Sequence, residues 1–294
     1  MVAPSPRSAS FFADLASEST LSTFVANDGD NIAVQDWPLA HRQTLRGVVI
    51  LVHGLGEHAG RYDAVARRLN GWGFAVRGYD QHGHGESGGV RGGLPANDRL
   101  LVDLADIVDS TRLRMDPGTP LILLGHSMGG LVAARFVSLA VRPVQALVLS
   151  SPALDAGFGF FKRLLVAALA HIAPDLRVGN GLDVAALSND PATVLAYQSD
   201  PLVHDRISAR LAQFIAEAGA ATLAQAPAWK VPTLLLYAGD DKLVNPAGSD
   251  AFYAAAPPRL VIAHCFEAMC HEIFNALDPE SVFVELKTWL DVRF

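Results

Sequence analysis

Leu121-Ile122-Leu123-Leu124-Gly125-His126-Ser127-Met128-Gly129-Gly130-Leu131-Val132-Ala133-Ala134-Arg135 is the stretch on which the fold turns. An apolar, strand-like block runs into Gly-x-Ser-x-Gly and then into a helical pattern. Glycines two before and two after Ser127 permit a tight strand-to-helix turn that lifts the hydroxyl above a sheet, with the Met128 amide at the start of the helix. The same expression matches Gly85-Glu86-Ser87-Gly88-Gly89. There no apolar block precedes the serine and no helical pattern follows it, so Ser127 is the candidate nucleophile and Ser87 a loop residue.

Outward from this stretch, similar blocks recur at 47–52, 74–80, 146–150 and 233–239, separated by helical spacing at 62–69, 98–112 and 128–139. Strands alternating with helices imply a mainly parallel sheet covered on both faces. Between 155 and 227 the alternation lapses into alanine-rich helical patterns, and Val231 resumes it. The expected organisation is an α/β core over 1–154 and 228–294 with a helical insertion over 155–227.

Composition supports a globular protein rather than a binder of nucleic acid. Half of the 294 residues are hydrophobic and 18% are charged, enough apolar surface for a large core. The formal net charge is -7 and no Lys/Arg run exceeds a pair, so the basic patch needed for a phosphate backbone is missing. Cys265 and Cys270 fit neither a disulfide framework nor a zinc or redox motif and read as free thiols. Residues 1–10 carry one Arg and precede no signal-like apolar run, and no apolar run reaches transmembrane length, so a cytoplasmic location is expected.

A serine hydroxyl needs a base to take its proton and a carboxylate to orient that base. With the chain order serine, acid, histidine, the candidates for the base are His171, His204, His264 and His271. The first two fall in the insertion and His264 lies inside an apolar block. His271 follows that block, at the edge where functional loops gather, and is preferred. Asp240 and Asp241 both stand just beyond the strand block at 233–239, and spacing alone does not choose between them. A second oxyanion donor is expected from the loop His53-Gly54-Leu55-Gly56, at the Leu55 amide. His53, His58, His82 and His84 lack partners at ligand spacing, so they read as loop hydrogen bonders, and no metal or other cofactor is expected.

Taken together, His53-Gly54-Leu55-Gly56-Glu57-His58, Asp80-Gln81-His82-Gly83-His84-Gly85-Glu86-Ser87, Gly125-His126-Ser127-Met128-Gly129-Gly130, Gly239-Asp240-Asp241-Lys242-Leu243-Val244 and His271-Glu272-Ile273-Phe274-Asn275 resemble the monoacylglycerol lipase and lysophospholipase branch of the α/β-hydrolase fold, related to the serine aminopeptidase S33-type hydrolases. The resemblance spans about 24–290. It implies Asp241, which directly precedes a basic residue and an apolar pair, as the acid. It also implies oxyanion amides at Leu55 and Met128, and an insertion acting as a lid whose Phe158, Phe161 and Leu165 receive an acyl chain. The implied activity is hydrolysis of a single-chain lipid ester, foremost a monoacylglycerol, through an acyl-enzyme. The implied partner is a small lipid or ester met transiently at a membrane or micelle surface. A lysophospholipase, a general carboxylesterase and a non-catalytic binding protein on the same fold are the alternatives.

Overall fold

The computed structural model describes residues 12–13, 19–26, 28–40, 43–157 and 159–294. Eight strands form the central sheet: β1 (Thr20–Val25), β2 (Asn31–Trp37), β3 (Gly47–Val52), β4 (Phe74–Tyr79), β5 (Leu121–His126), β6 (Ala146–Ser150), β7 (Thr233–Ala238) and β8 (Val261–Phe266). Their spatial order is β8-β7-β6-β5-β3-β4-β2-β1. The six strands from β8 across to β4 run parallel, while β2 pairs antiparallel with both β4 and the edge strand β1. The fold is therefore the expected α/β-hydrolase architecture with an antiparallel edge.

The interior strands β3 to β7 are buried along their whole length, which is why they read as largely apolar runs, β4 being interrupted by Arg77, which is paired with Asp36. Alternate residues serve opposite faces. Val48, Ile50, Val52, Leu121 and Leu123 join α2 (Arg99–Arg112), α3 (Met128–Ser138) and the helix Ala247–Ala255 on one side. Val49, Leu51, Ile122 and Leu124 meet α1 (Asp63–Gly71) and the C-terminal helix Glu280–Arg293 on the other. The edge strand β1 is exposed at five of its six positions, so it lacks the apolar signal of its neighbours.

Between β6 and β7 the chain forms α4 (Phe160–Ile172), α5 (Pro191–Ser199) and α6 (Ala209–Gln225). Local chemistry sets two of their starts. The Asp190 carboxylate caps α5 at the Ala192 amide with Pro191 in the first turn, and Ser208 Oγ accepts from Leu211 N at the head of α6. α6 packs on both α3 and α4, tying this segment to the core. The segment also contains an antiparallel pair, Arg177–Gly179 with Arg206–Ser208, where only helix was expected. Three residues are too few to show a period of two. Among the described residues no helix is long and apolar enough to cross a membrane.

Candidate active site

The candidate site lies beyond the C-terminal ends of β3, β5, β7 and β8, where an open α/β sheet presents its loops. Ser127 joins β5 to α3 with φ 54° and ψ -121°, a left-handed conformation that a non-glycine residue holds only under structural compulsion. The flanking glycines explain how the turn fits. A Cβ on Gly129 would stand 2.1 Å from the Val52 carbonyl oxygen, and one on Gly125 2.4 Å from that of Gly129. Ser127 N donates to Ser150 O, and the Ser127 carbonyl accepts from Leu131 N and Ala153 N, so both sides of the turn are anchored.

Ser127 and His271 line one cavity of about 100 Å³. His271 Nδ1 lies 2.6 Å from Asp241 Oδ2, with both side chains almost fully buried. The other oxygen, Asp241 Oδ1, accepts from Leu243 N and Val244 N at 2.9 Å each. Burial would raise the Asp241 carboxyl, but His271 and these two amides hold it below its ordinary value. Asp240 is half-exposed and paired with Lys242, outside the cavity. The structure thus brings Asp241, not Asp240, to the histidine. No hydrogen bond joins Ser127 Oγ to His271 among the described residues, a contact that in unliganded sites tightens with substrate.

Leu55 and Met128 also line the cavity, and neither backbone amide donates to an acceptor among the described residues. Two free amides beside a serine can stabilise a developing oxyanion. The loop carrying Leu55 is braced by Glu57, whose Oε1 accepts from Gly54 N at 2.6 Å and from Tyr62 Oη at 2.7 Å. Arg61 bridges Glu57 to Glu272, the residue after His271, at 2.5 Å and 2.7 Å. Burial alone would raise the Glu57 carboxyl; Arg61, with His126 and His53, outweighs it and holds the group down to about 2. The loop carrying Leu55 and the loop carrying His271 are therefore strapped together by ion pairs across 211 residues of chain.

His126 stands with its ring centroid 4.7 Å from that of His271, its Nδ1 3.0 Å from Ser150 Oγ. Burial and the neighbouring His271 lower it to about 4, which leaves a neutral imidazole at the floor of the site. Several other histidines make hydrogen bonds. His53 Nε2 accepts from Gln81 N, His58 Nε2 meets Asp200 at 2.8 Å, and His204 Nε2 donates to Gly83 O. His264 forms a half-exposed pair with Glu285. Ser87 is buried away from the cavity, accepting from Ala33 N and donating to Asp80 O. Cys265 and Cys270 are free thiols.

The apolar wall comes from Ala156, Leu182, Leu187, Ile207 and Ile215 of the segment between β6 and β7. Phe161 and Leu165 do not line it: they are 84% and 59% exposed on the outer face of α4. Phe158 lies outside the described residues. The resemblance implies an acyl-binding face here, but spacing along α4 does not distinguish a face turned to the cavity from one turned outward. Glu57, Arg61, Glu272 and the lining residues Asn180 and Tyr197 were not read as site residues, because what unites them is contact across the fold.

Comparison with known proteins identifies the family and the fold. The hydrolase family described as serine aminopeptidase, S33, matches residues 43–278. The chain is 35% identical over 248 residues to the monoacylglycerol lipase of Mycolicibacterium smegmatis, covering 83% of this chain and 88% of that one. It is 30% identical over 248 residues to the phospholipase YtpA of Bacillus subtilis, covering 83% and 95%. The crystal structure of the monoacylglycerol lipase of Paleococcus ferrophilus superposes with a TM-score of 0.79 at 32% identity, covering 95% of this chain and all of that one.

Proposed function

The chain belongs to the serine aminopeptidase S33 family of α/β-hydrolases and is a carboxylic ester hydrolase of the monoacylglycerol-lipase-like group, and from that premise we propose that Ser127, His271 and Asp241 are its catalytic triad and a monoacylglycerol its substrate. The observation that carries the triad is the strained Ser127 beside a buried His271 whose Nδ1 is held by Asp241. His271 Nε2 takes the Ser127 proton as Oγ attacks the ester carbonyl, and Asp241 stabilises the imidazolium. The tetrahedral oxyanion sits between the amides of Leu55 and Met128. Its collapse returns the proton to the departing alcohol and leaves an acyl-enzyme, which water hydrolyses by the reverse roles.

In this reading residues 155–227 form a lid, and its apolar wall takes the acyl chain at roughly 0.8 kcal/mol per buried methylene. Two relatives named as monoacylglycerol lipases support the substrate class. The phospholipase relative raises a second reading, a lysophospholipase. The absence of a cationic lining residue favours the neutral head group. The lining carboxylates Glu57 and Glu272 are both paired with Arg61, and among the described residues no Lys or Arg lines the cavity, a poor setting for a phosphate. The test compares kcat/KM for 1-decanoylglycerol and decanoyl lysophosphatidylcholine. A preference for the glycerol ester of tenfold or more is expected; the reverse preference establishes the lysophospholipase, and no turnover of either points to a binding protein.

A further inference from the structure

The polar groups of the cavity can be sorted by whether they already have partners. Both oxygens of Glu57 are taken by Gly54 N, Tyr62 Oη and Arg61. Both oxygens of Glu272 are taken by the Arg61 guanidinium, with Asn275 Nδ2 as a further donor. Ser127, His271 and the amides of Leu55 and Met128 belong to the chemistry proposed above. What remains among side chains is the far nitrogen of His126, the hydroxyl of Tyr197 and the amide of Asn180.

Asn180 differs from the other two in offering two N–H donors that stay uncharged at any working pH. Its Oδ1 is already committed, accepting from Leu182 N at 3.0 Å. That bond fixes the amide plane, and Nδ2 then meets no acceptor among the described residues. Nδ2 lies 3.6 Å from the point where a Cβ on Gly56 would stand, against the loop that carries the Leu55 amide. The support is firm. Asn180 N donates to Asp205 O at 2.6 Å, extending the pair Arg177–Gly179 with Arg206–Ser208, and that pair is held to the core through Ser208 N to Gly92 O and His204 N to Gly56 O. The donor is therefore placed beside the oxyanion loop by strand pairing, independently of α4.

We propose that Asn180 is a specificity-determining residue for the leaving alcohol, donating through Nδ2 to a free hydroxyl of a neutral polyol head while the ester carbonyl occupies the two oxyanion amides. The inference rests on the proposed function. It extends it by naming a residue that reads the alcohol rather than the acyl chain. A hydroxyl oxygen accepts from the amide without any charge being buried, whereas an alkyl alcohol leaves the donor unpaired.

The test is a cycle between protein and substrate, using decanoate esters of glycerol, propane-1,2-diol and propanol. In the unchanged protein, kcat/KM should fall roughly three- to tenfold from the glycerol to the propyl ester, the range of one neutral hydrogen bond. In Asn180→Leu and Asn180→Ala the ratio of glycerol to propyl ester should fall by a similar factor, and the two losses should not add. A wild-type preference that survives both substitutions overturns the role of Asn180 alone. A wild-type enzyme without any preference for the glycerol ester overturns this inference and the monoacylglycerol reading together. Should neither variant fold, a loss of less than twofold across the wild-type ester series is the overturning result.

Discussion

Asp241→Asn is the substitution whose outcome the geometry constrains most. Asp241 Oδ1 accepts from two backbone amides, Leu243 N and Val244 N, so an asparagine in its place must keep its oxygen there. The new NH2 group then faces His271 Nδ1 across the 2.6 Å contact and demands an acceptor. The imidazole answers by moving its proton to Nε2, the nitrogen that has to take the Ser127 proton. An enzyme locked in that tautomer loses about 10⁴ in kcat, or roughly 5.4 kcal/mol at 1.36 kcal/mol per decade. Flipping the amide restores the tautomer but sets NH2 against two N–H groups, each left unpaired at about 1–3 kcal/mol. Escape by that route recovers little, so kcat should fall 10³- to 10⁴-fold. Asp240→Asn touches a half-exposed pair with Lys242 and should leave kcat within about threefold. The assay is steady-state hydrolysis of p-nitrophenyl butyrate at pH 8, with circular dichroism to show that both variants fold. A loss below tenfold in Asp241→Asn, or a larger loss in Asp240→Asn, refutes the reasoning.

Acid should weaken the fold through His126. Burial and His271 lower it from 6.5 to about 4, so between these values the unfolded chain binds the proton more readily than the folded one. Stability contributed by this group is present above about pH 6.5 and is lost as pH falls toward 4; Tm should drop over that window, and less steeply in His126→Gln, whereas an unchanged slope would remove His126 from the explanation. Chain-length selectivity should follow the cavity wall rather than the outer face of α4. Leu182→Ser should lower the preference for decanoyl over acetyl glycerol several-fold, while Phe161→Ser with Leu165→Ser should change it less than twofold on monomeric substrate. The opposite ranking would return the acyl site to α4.

The parts of this molecule that can be read along the chain are those where one local constraint dominates. The turn at Ser127 requires glycine at 125 and 129 because backbone crowds both positions, and that demand is written in the sequence. Buried strands such as β3 and β5 show as apolar runs because helices cover both of their faces. β1 escapes the same reading because an exposed edge strand has no apolar face to display, and the pair at 177–179 and 206–208 is too short to show a period. Asp240 and Asp241 are neighbours whose spacing to His271 differs by one residue, so spacing does not separate them; in the fold one turns outward to Lys242 and the other inward, as the family resemblance implies. The link from Glu57 through Arg61 to Glu272 joins residues far apart in sequence, so no local pattern marks it. Likewise an apolar stripe on α4 has the same spacing whichever way it faces, and Phe161 faces outward.

The central claim is that Ser127 is the nucleophile, and active-site labelling tests it most directly. The protein is treated with a fluorophosphonate, the adduct is located by peptide mass mapping, and residual ester hydrolysis is followed against label incorporated. One label per chain on Ser127, with activity lost in proportion, and neither label nor turnover in Ser127→Ala while Ser87→Ala keeps both, is the result the account predicts. Label on Ser87 or another residue, or turnover that persists in folded Ser127→Ala, would contradict it.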